Sequence, residues 1–209
     1  KSGRVIARMP DGVIYFEQAH YPFAENDDLD GIGEAFDESM WTAVASPPGP
    51  LAAGVDGPRL LSDGARRLRA QSDRAIIGLF GGNLLEMGQF LYRNDNFFLL
   101  LAGNPERAHR FLDKVVEIHL ANLERFLGAV GSSIDIVLFG DDLGMQRGPQ
   151  ISPKMYRLKI RLFWDPFPFS RLFLKDLELS NRLMRWQRSI QDLVLISRWP
   201  YLPLLFYGS

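Results

Sequence analysis

The sequence predicts an α/β fold built on a parallel sheet. Three observations carry this reading. Two apolar runs, Ala75-Ile76-Ile77-Gly78-Leu79-Phe80 and Ile134-Asp135-Ile136-Val137-Leu138-Phe139, have the composition of strands buried on both faces. Each runs into a glycine-bearing turn, Gly81-Gly82-Asn83 and Gly140-Asp141-Asp142-Leu143-Gly144. A helix signal follows each turn, and that alternation is the mark of βα units.

The elements follow in order. Val13-Ile14-Tyr15-Phe16, after the turn signal Pro10-Asp11-Gly12, predicts a strand or hairpin arm. Residues 24–38 are acidic and read as a solvated loop and first helical turn. Ile32, Phe36, Met40, Trp41 and Val44 recur at helical spacing and predict a helix from about 30 to 45. Ser46-Pro47-Pro48-Gly49-Pro50 ends it, because proline has no N–H to continue the ladder. A Pro/Gly-rich loop over 46–58 precedes a short basic helix, Leu61 to Gln71, with Arg66, Arg67 and Arg69. The first strand and its turn lead into a helix over about 84–93, with Leu84, Met87 and Leu91 on one side. Asn104-Pro105-Glu106 is a helix start: cap, proline and an acid in the first turn. Ala108, Phe111, Leu112, Val115, His119, Leu123 and Phe126 then keep a 3.6 period to about residue 128, ahead of Gly131. Ser152-Pro153 starts another helix by the same logic.

Composition bounds the function. The chain has 209 residues, 46% hydrophobic and 23% charged, which are globular values and exclude a collagen or a wholly disordered chain. A net charge of -1 gives no bulk argument for nucleic acid or an anionic membrane. With no cysteine, a disulfide, a Cys-based zinc site and a thiol nucleophile are excluded within this chain. No run of 18 apolar residues predicts a membrane span, and the expected location is the cytoplasm. The first residue is Lys1 with no leader pattern after it, so the chain is expected to start inside a longer protein.

Composition also breaks near residue 157. Residues 1–157 carry a net charge of -5 and residues 158–209 a net of +4. Of 19 glycines only Gly208 falls after the break, no alanine does, and 10 of the 25 aromatics do. A second domain of ordinary make-up would use glycine at its turns and helix ends. Residues 158–209 therefore read as a divergent tail, out of frame or truncated, with a helical pattern over about 171–197.

The candidate site residues lie at the strand ends. In a parallel α/β sheet, ligands sit beyond the carboxyl ends of the strands. Asp141 and Asp142 fall there as the candidate catalytic pair, one facing a pocket while the other caps or pairs with Arg147. A carboxylate in such a mouth can hold a ring N–H, a hydroxyl, a proton or a cation. Asn83, Glu86 and Gln89 follow the other strand and should line the same mouth, and His20 is a candidate donor or base from a loop. His119, on the apolar stripe, reads as a packed core histidine, and His109 as solvent-facing. Neither has a partner at i±4, and no metal site is expected.

These motifs resemble the uroporphyrinogen decarboxylase superfamily. Residues 76–87, IIGLFGGNLLEM, look like that family's strand-turn-helix, and residues 137–157, VLFGDDLGMQRGPQISPKMYR, look like its "GDDLG" signature. The resemblance covers residues from about 4 to 157. It implies a (β/α)8 TIM barrel, of which these residues would be the amino-terminal half. It also implies one of two activities: a tetrapyrrole carboxy-lyase without metal or organic cofactor, or a methyltransferase working with zinc and a corrinoid protein. Gln89 aligns where decarboxylases carry a tyrosine, and Asp141 where they carry a serine. The zinc ligands and the late histidine of the family belong to the missing half. The expectation is therefore an inactive piece of such an enzyme, with no cofactor of its own, prone to self-association through an open barrel edge. The rival expectation is a non-catalytic binding or interaction protein that reuses the half-barrel.

Overall fold

The amino-terminal segment folds back on itself as a minimal hairpin. The computed structural model describes residues 3–25, 28–48 and 55–160. Strand β1 (Ala7–Arg8) pairs antiparallel with β2 (Glu17–Gln18). Val13-Ile14-Tyr15-Phe16 is not a strand: it forms the loop between these two, with Ile14 98% exposed. The helix expected over 30–45 is two shorter ones, α1 (Ile32–Asp37) and α2 (Thr42–Ala45), after a 3-10 turn at Leu29–Gly31. The last turn of α1 tightens as Ser39 N donates to the Phe36 carbonyl, and the chain redirects so that both Phe36 and Ala45 reach the core. Helix α3 (Gly57–Gln71) starts a turn earlier than its apolar pattern suggested. Asp56 accepts the Arg59 N–H at 3.0 Å and Pro58 sits in the first turn, a cap-plus-proline start.

Strand β3 (Ile77–Gly81) leads through Gly82-Asn83 into α4 (Leu85–Tyr92). Helix α5 (Asn94–Gly103) follows after one residue, and α6 (Pro105–Val130) after another, capped by Asn104 as its sequence demands. Strand β4 (Ile136–Phe139) returns to β3, pairing parallel: Ile77 with Ile136, Gly78 with Val137, Leu79 with Leu138, then Gly81 with Phe139 after a register shift. A small hairpin, β5 (Gly144–Met145) and β6 (Gly148–Pro149), sits beyond β4. Ser152 caps α7 (Pro153–Met155), which continues as one π turn to Ile160.

Burial divides in two. A larger cluster packs α1, α4, α5 and α6 around Phe36, Leu85, Met87, Leu91, Phe97 and Phe111, and Ile160 joins it. Each such side chain contributes about 1.5–3 kcal/mol when fully covered. A smaller cluster, Ala65, Phe80, Leu123, Phe126 and Val130, packs α3 and α6 under one face of the β3–β4 pair. There Gly78 leaves room for Phe126, whose ring a Cβ would meet at 3.0 Å. The other face is open: Ile77 and Leu79 are more than half exposed, and Leu138 is 38% exposed. The expectation of strands buried on both faces is thus corrected, because among the described residues helices cover one side only.

The fold is mixed α/β, mostly helical, with a parallel pair at its centre. The described residues build three two-stranded sheets and no closed barrel. Among them no helix is long and apolar enough to cross a membrane. The tail expected from 158 enters the described residues only as far as Ile160, and the helix expected over 171–197 lies outside them.

Candidate functional site

Two parallel strands that pair at Gly81 and Phe139 bring their following loops together. The turn after β3 needs glycine. Gly81 and Gly82 have φ of +81° and +69°, and a Cβ on Gly81 would stand 2.6 Å from the Val44 carbonyl oxygen. Gly82 N donates to the Ala45 carbonyl at 2.7 Å, so the turn is pressed against α2.

Asp141 crosses from the end of β4 to the start of α4. Its Oδ2 accepts from Leu84 N at 3.1 Å and Leu85 N at 2.7 Å, and its Oδ1 from Glu86 N at 3.0 Å. It therefore caps a helix 55 residues earlier in sequence, satisfying donors that the helix itself leaves orphaned. Glu86 answers in the other direction: its Oε2 accepts from Asp142 N at 2.8 Å and from Asn83 Nδ2. The second oxygen, Oε1, has no hydrogen bond among the described residues. Asp142 uses Oδ1 on Gly144 N at 3.1 Å, a local turn contact, and its carbonyl accepts from Gln150 Nε2 at 2.8 Å. Gln89, 7% exposed, donates to Gln150 Oε1 at 2.7 Å. Five of the six candidate residues are thus one hydrogen-bonded group: Asn83, Glu86, Gln89, Asp141 and Asp142.

His20 is the exception. It lies by the hairpin with Arg4 and Glu38, its Nε2 2.9 Å from Arg4 Nη1 and 3.1 Å from Glu38 Oε2, and has no hydrogen bond to the other five. The β2 hairpin docks on the far end of α4, where Gln18 Nε2 donates to the Phe90 carbonyl at 2.6 Å. The same Gln18 amide donates to the His20 carbonyl at 2.7 Å, so the residue is held against the hairpin. The Arg147 pairing does not form either: Arg147 is exposed in the β5–β6 turn, and Asp141 is occupied by backbone donors.

Burial dominates the electrostatics. Asp141 as a residue keeps some exposed surface, but its carboxyl group is enclosed by protein, and the enclosure governs its charge. Burial pushes that carboxyl up to about 7, with the nearby Glu86 adding to the rise and the three N–H donors opposing it. No cation offsets the cost among its hydrogen-bond partners.

On the other side of the same turn stands His119, buried as its stripe position predicted. Its Nε2 is 2.9 Å from the Asn83 carbonyl and its Nδ1 2.8 Å from Ser46 Oγ. The rings of Phe36 and Phe80 meet it edge-on at 5.9 and 6.2 Å. Burial holds the imidazole down at about 4. Ser46 and Asn122, neither singled out in the sequence, are its buried companions: Asn122 Nδ2 donates to Ser46 Oγ at 2.8 Å. The signal for Asn122 was its place three residues after His119, a polar group on an otherwise apolar stripe. His109 is half-buried instead of solvent-facing.

The arrangement leaves two half-used carboxylates, Glu86 and Asp142, beside a carboxyl group that titrates near neutrality. Acceptors held this way suit a ligand rich in N–H or O–H donors, and a group near pH 7 suits proton exchange. Among the described residues no three His, Cys, Asp or Glu form a group able to hold a metal. Comparison with known protein families, with curated proteins and with solved structures gave no match.

Proposed function

We propose that residues up to about 157 are the first part of a (β/α)8 barrel of the uroporphyrinogen decarboxylase type, and that its strand-end mouth takes a tetrapyrrole. The reaction served would be decarboxylation, or methyl transfer linked to a corrinoid protein. One observation carries the reading: parallel β3 and β4 end side by side, and the polar residues after them close into a single group. That is where ligands bind in parallel α/β folds. In this reading Glu86 and Asp142 meet the ligand's N–H groups, with Asn83 and Gln89 beside them. Asp141 holds the first turn of α4 in place and exchanges protons near neutral pH. The chain alone, with two strands of such a barrel paired among its described residues, binds without turnover. Calorimetry of this chain with coproporphyrin and with cobalamin tests the reading. Micromolar binding of either, weakened at least tenfold by Glu86→Gln, supports it; binding of neither removes both tetrapyrrole activities.

The second reading is a non-catalytic interaction scaffold. The open apolar face of Ile77, Leu79 and Leu138 favours it, since surface of that kind serves association. A self-associating chain that binds neither probe would be its signature.

A further inference from the structure

Five hydrogen bonds run in one direction through the protein toward Glu86. The Arg125 guanidinium donates to Asn122 Oδ1, which leaves the Asn122 amide nitrogen to donate to Ser46 Oγ. The Asn83 carbonyl can only accept, so the proton of neutral His119 sits on Nε2. His119 Nδ1 must then accept, and the Ser46 hydroxyl is its donor. Asn83, fixed at its carbonyl, donates from its side chain to Glu86 Oε2. The series begins on a cation, ends on a carboxylate, and is buried at Ser46, His119 and Asn122. The four links from Arg125 to the Asn83 carbonyl polarise one another, and the fifth is joined to them mechanically, through the Asn83 backbone that carries the amide.

We propose that His119 is a positioning residue for the strand-end mouth: its ring ties α6 and the Ser46 loop to Asn83, and through Asn83 it sets where Glu86 points. Helix α6 has no other hydrogen bond to this turn among the described residues. Phe36 and Phe80 hold the ring plane edge-on, and within that plane the Ser46 and Asn83 partners set which nitrogen faces which side. The inference rests on reading the mouth as a ligand site, but its test does not need the ligand.

Nitrogen NMR of the full chain at pH 7 reads the tautomer directly. The expected form is neutral with Nε2–H; an Nδ1–H tautomer or an imidazolium overturns the proposal. His119→Phe keeps a ring for Phe36 and Phe80 and deletes both hydrogen bonds, while His119→Gln restores a donor. Amide exchange at Leu84, Leu85 and Glu86 should quicken at least tenfold more than at Phe97 and Leu101 in His119→Phe, and recover in His119→Gln. Equal acceleration at both places would mean an ordinary core residue and would sink the idea. If His119→Phe does not fold, Ser46→Ala supplies the same comparison. Titration with coproporphyrin and with cobalamin separates the two readings: a wild-type chain that binds neither removes the tetrapyrrole reading, while tautomer and exchange still decide the role of His119.

Discussion

The two ends of strand β4 carry the same residue type with opposite consequences. At the amino end Asp135 accepts Ile76 N at 2.9 Å and pairs with Arg69, and both side chains stay more than a third exposed. At the carboxyl end Asp141 accepts three N–H groups, is enclosed, and has no cation beside it. Each aspartate pins β4 to the segment around β3. Water and a guanidinium make the first an inexpensive surface fastening. Their absence makes the second a stiff joint that resists being charged, which is the condition for chemistry near pH 7.

Removing each carboxylate should separate the two ends most sharply. Asp141→Ala leaves three helix-start donors without their acceptor in a covered place and should cost about 3 kcal/mol. Asp135→Ala should cost about 1 kcal/mol, since water can replace a partly exposed acceptor. Urea denaturation measures both, and equal losses would erase the distinction.

A pH series sharpens it further, because Asp141 and His119 act in one window with opposite signs. Asp141 titrates near 3.8 unfolded and about 7 folded. The unfolded chain gives up that proton first, so stability from this group falls as pH rises from about 4 to 7. His119 titrates near 6.5 unfolded and about 4 folded. The unfolded chain binds that proton first, so stability from this group rises over nearly the same range. Each contribution is on the order of 3 kcal/mol, and the wild-type protein should be nearly flat between pH 4 and 7. Asp141→Asn should then grow more stable toward pH 7, and His119→Gln less stable. Parallel slopes in the two variants would refute the opposition.

Glycines at the carboxyl end give a smaller contrast. Gly81→Ala places a Cβ against the Val44 carbonyl and the Ala45 backbone at a positive φ, and should cost about 2 kcal/mol. Gly140, also at the end of this pair, has nothing within 4 Å of a Cβ, and Gly140→Ala should shift stability by about 0.5 kcal/mol or less. Thermal melts of the two variants make the comparison.

How much of this was legible differs between the two ends as well. Strand placement was readable because apolar runs ending in glycine leave few alternatives. The grouping of Asn83, Glu86, Gln89, Asp141 and Asp142 followed from the parallel topology alone. That one aspartate of the pair would cap was readable; that it is Asp141, and that it caps α4, was not, because its donors lie 55 to 57 residues away and no local pattern marks them. The partners of His20 were not readable for a related reason: a short hairpin sets its ring beside Arg4 and Glu38, and hairpin docking is a tertiary event. Helix α5 went unread between two stronger signals, although Phe97 and Leu101 are fully buried. The covered and open faces of β3 were indistinguishable in a run that is apolar at nearly every position.

The smallest expected effect lies back at the amino end. Asp135→Asn keeps an oxygen for Ile76 N and removes only the ionic part of the Arg69 contact. Arg69 is 36% exposed and Asp135 46%, so water screens the pair, and it is worth about 0.5 kcal/mol. Arg69 also donates to the Ser133 carbonyl at 3.3 Å, a bond the substitution leaves intact. The loss should therefore vanish in about 1 M salt, where charges interact over about 3 Å. Asp141→Asn, whose carboxyl lies out of reach of mobile ions, should keep its effect at the same salt. A salt-insensitive Asp135→Asn would mean that the amino end too is closed to water, and that the two aspartates differ in partner alone.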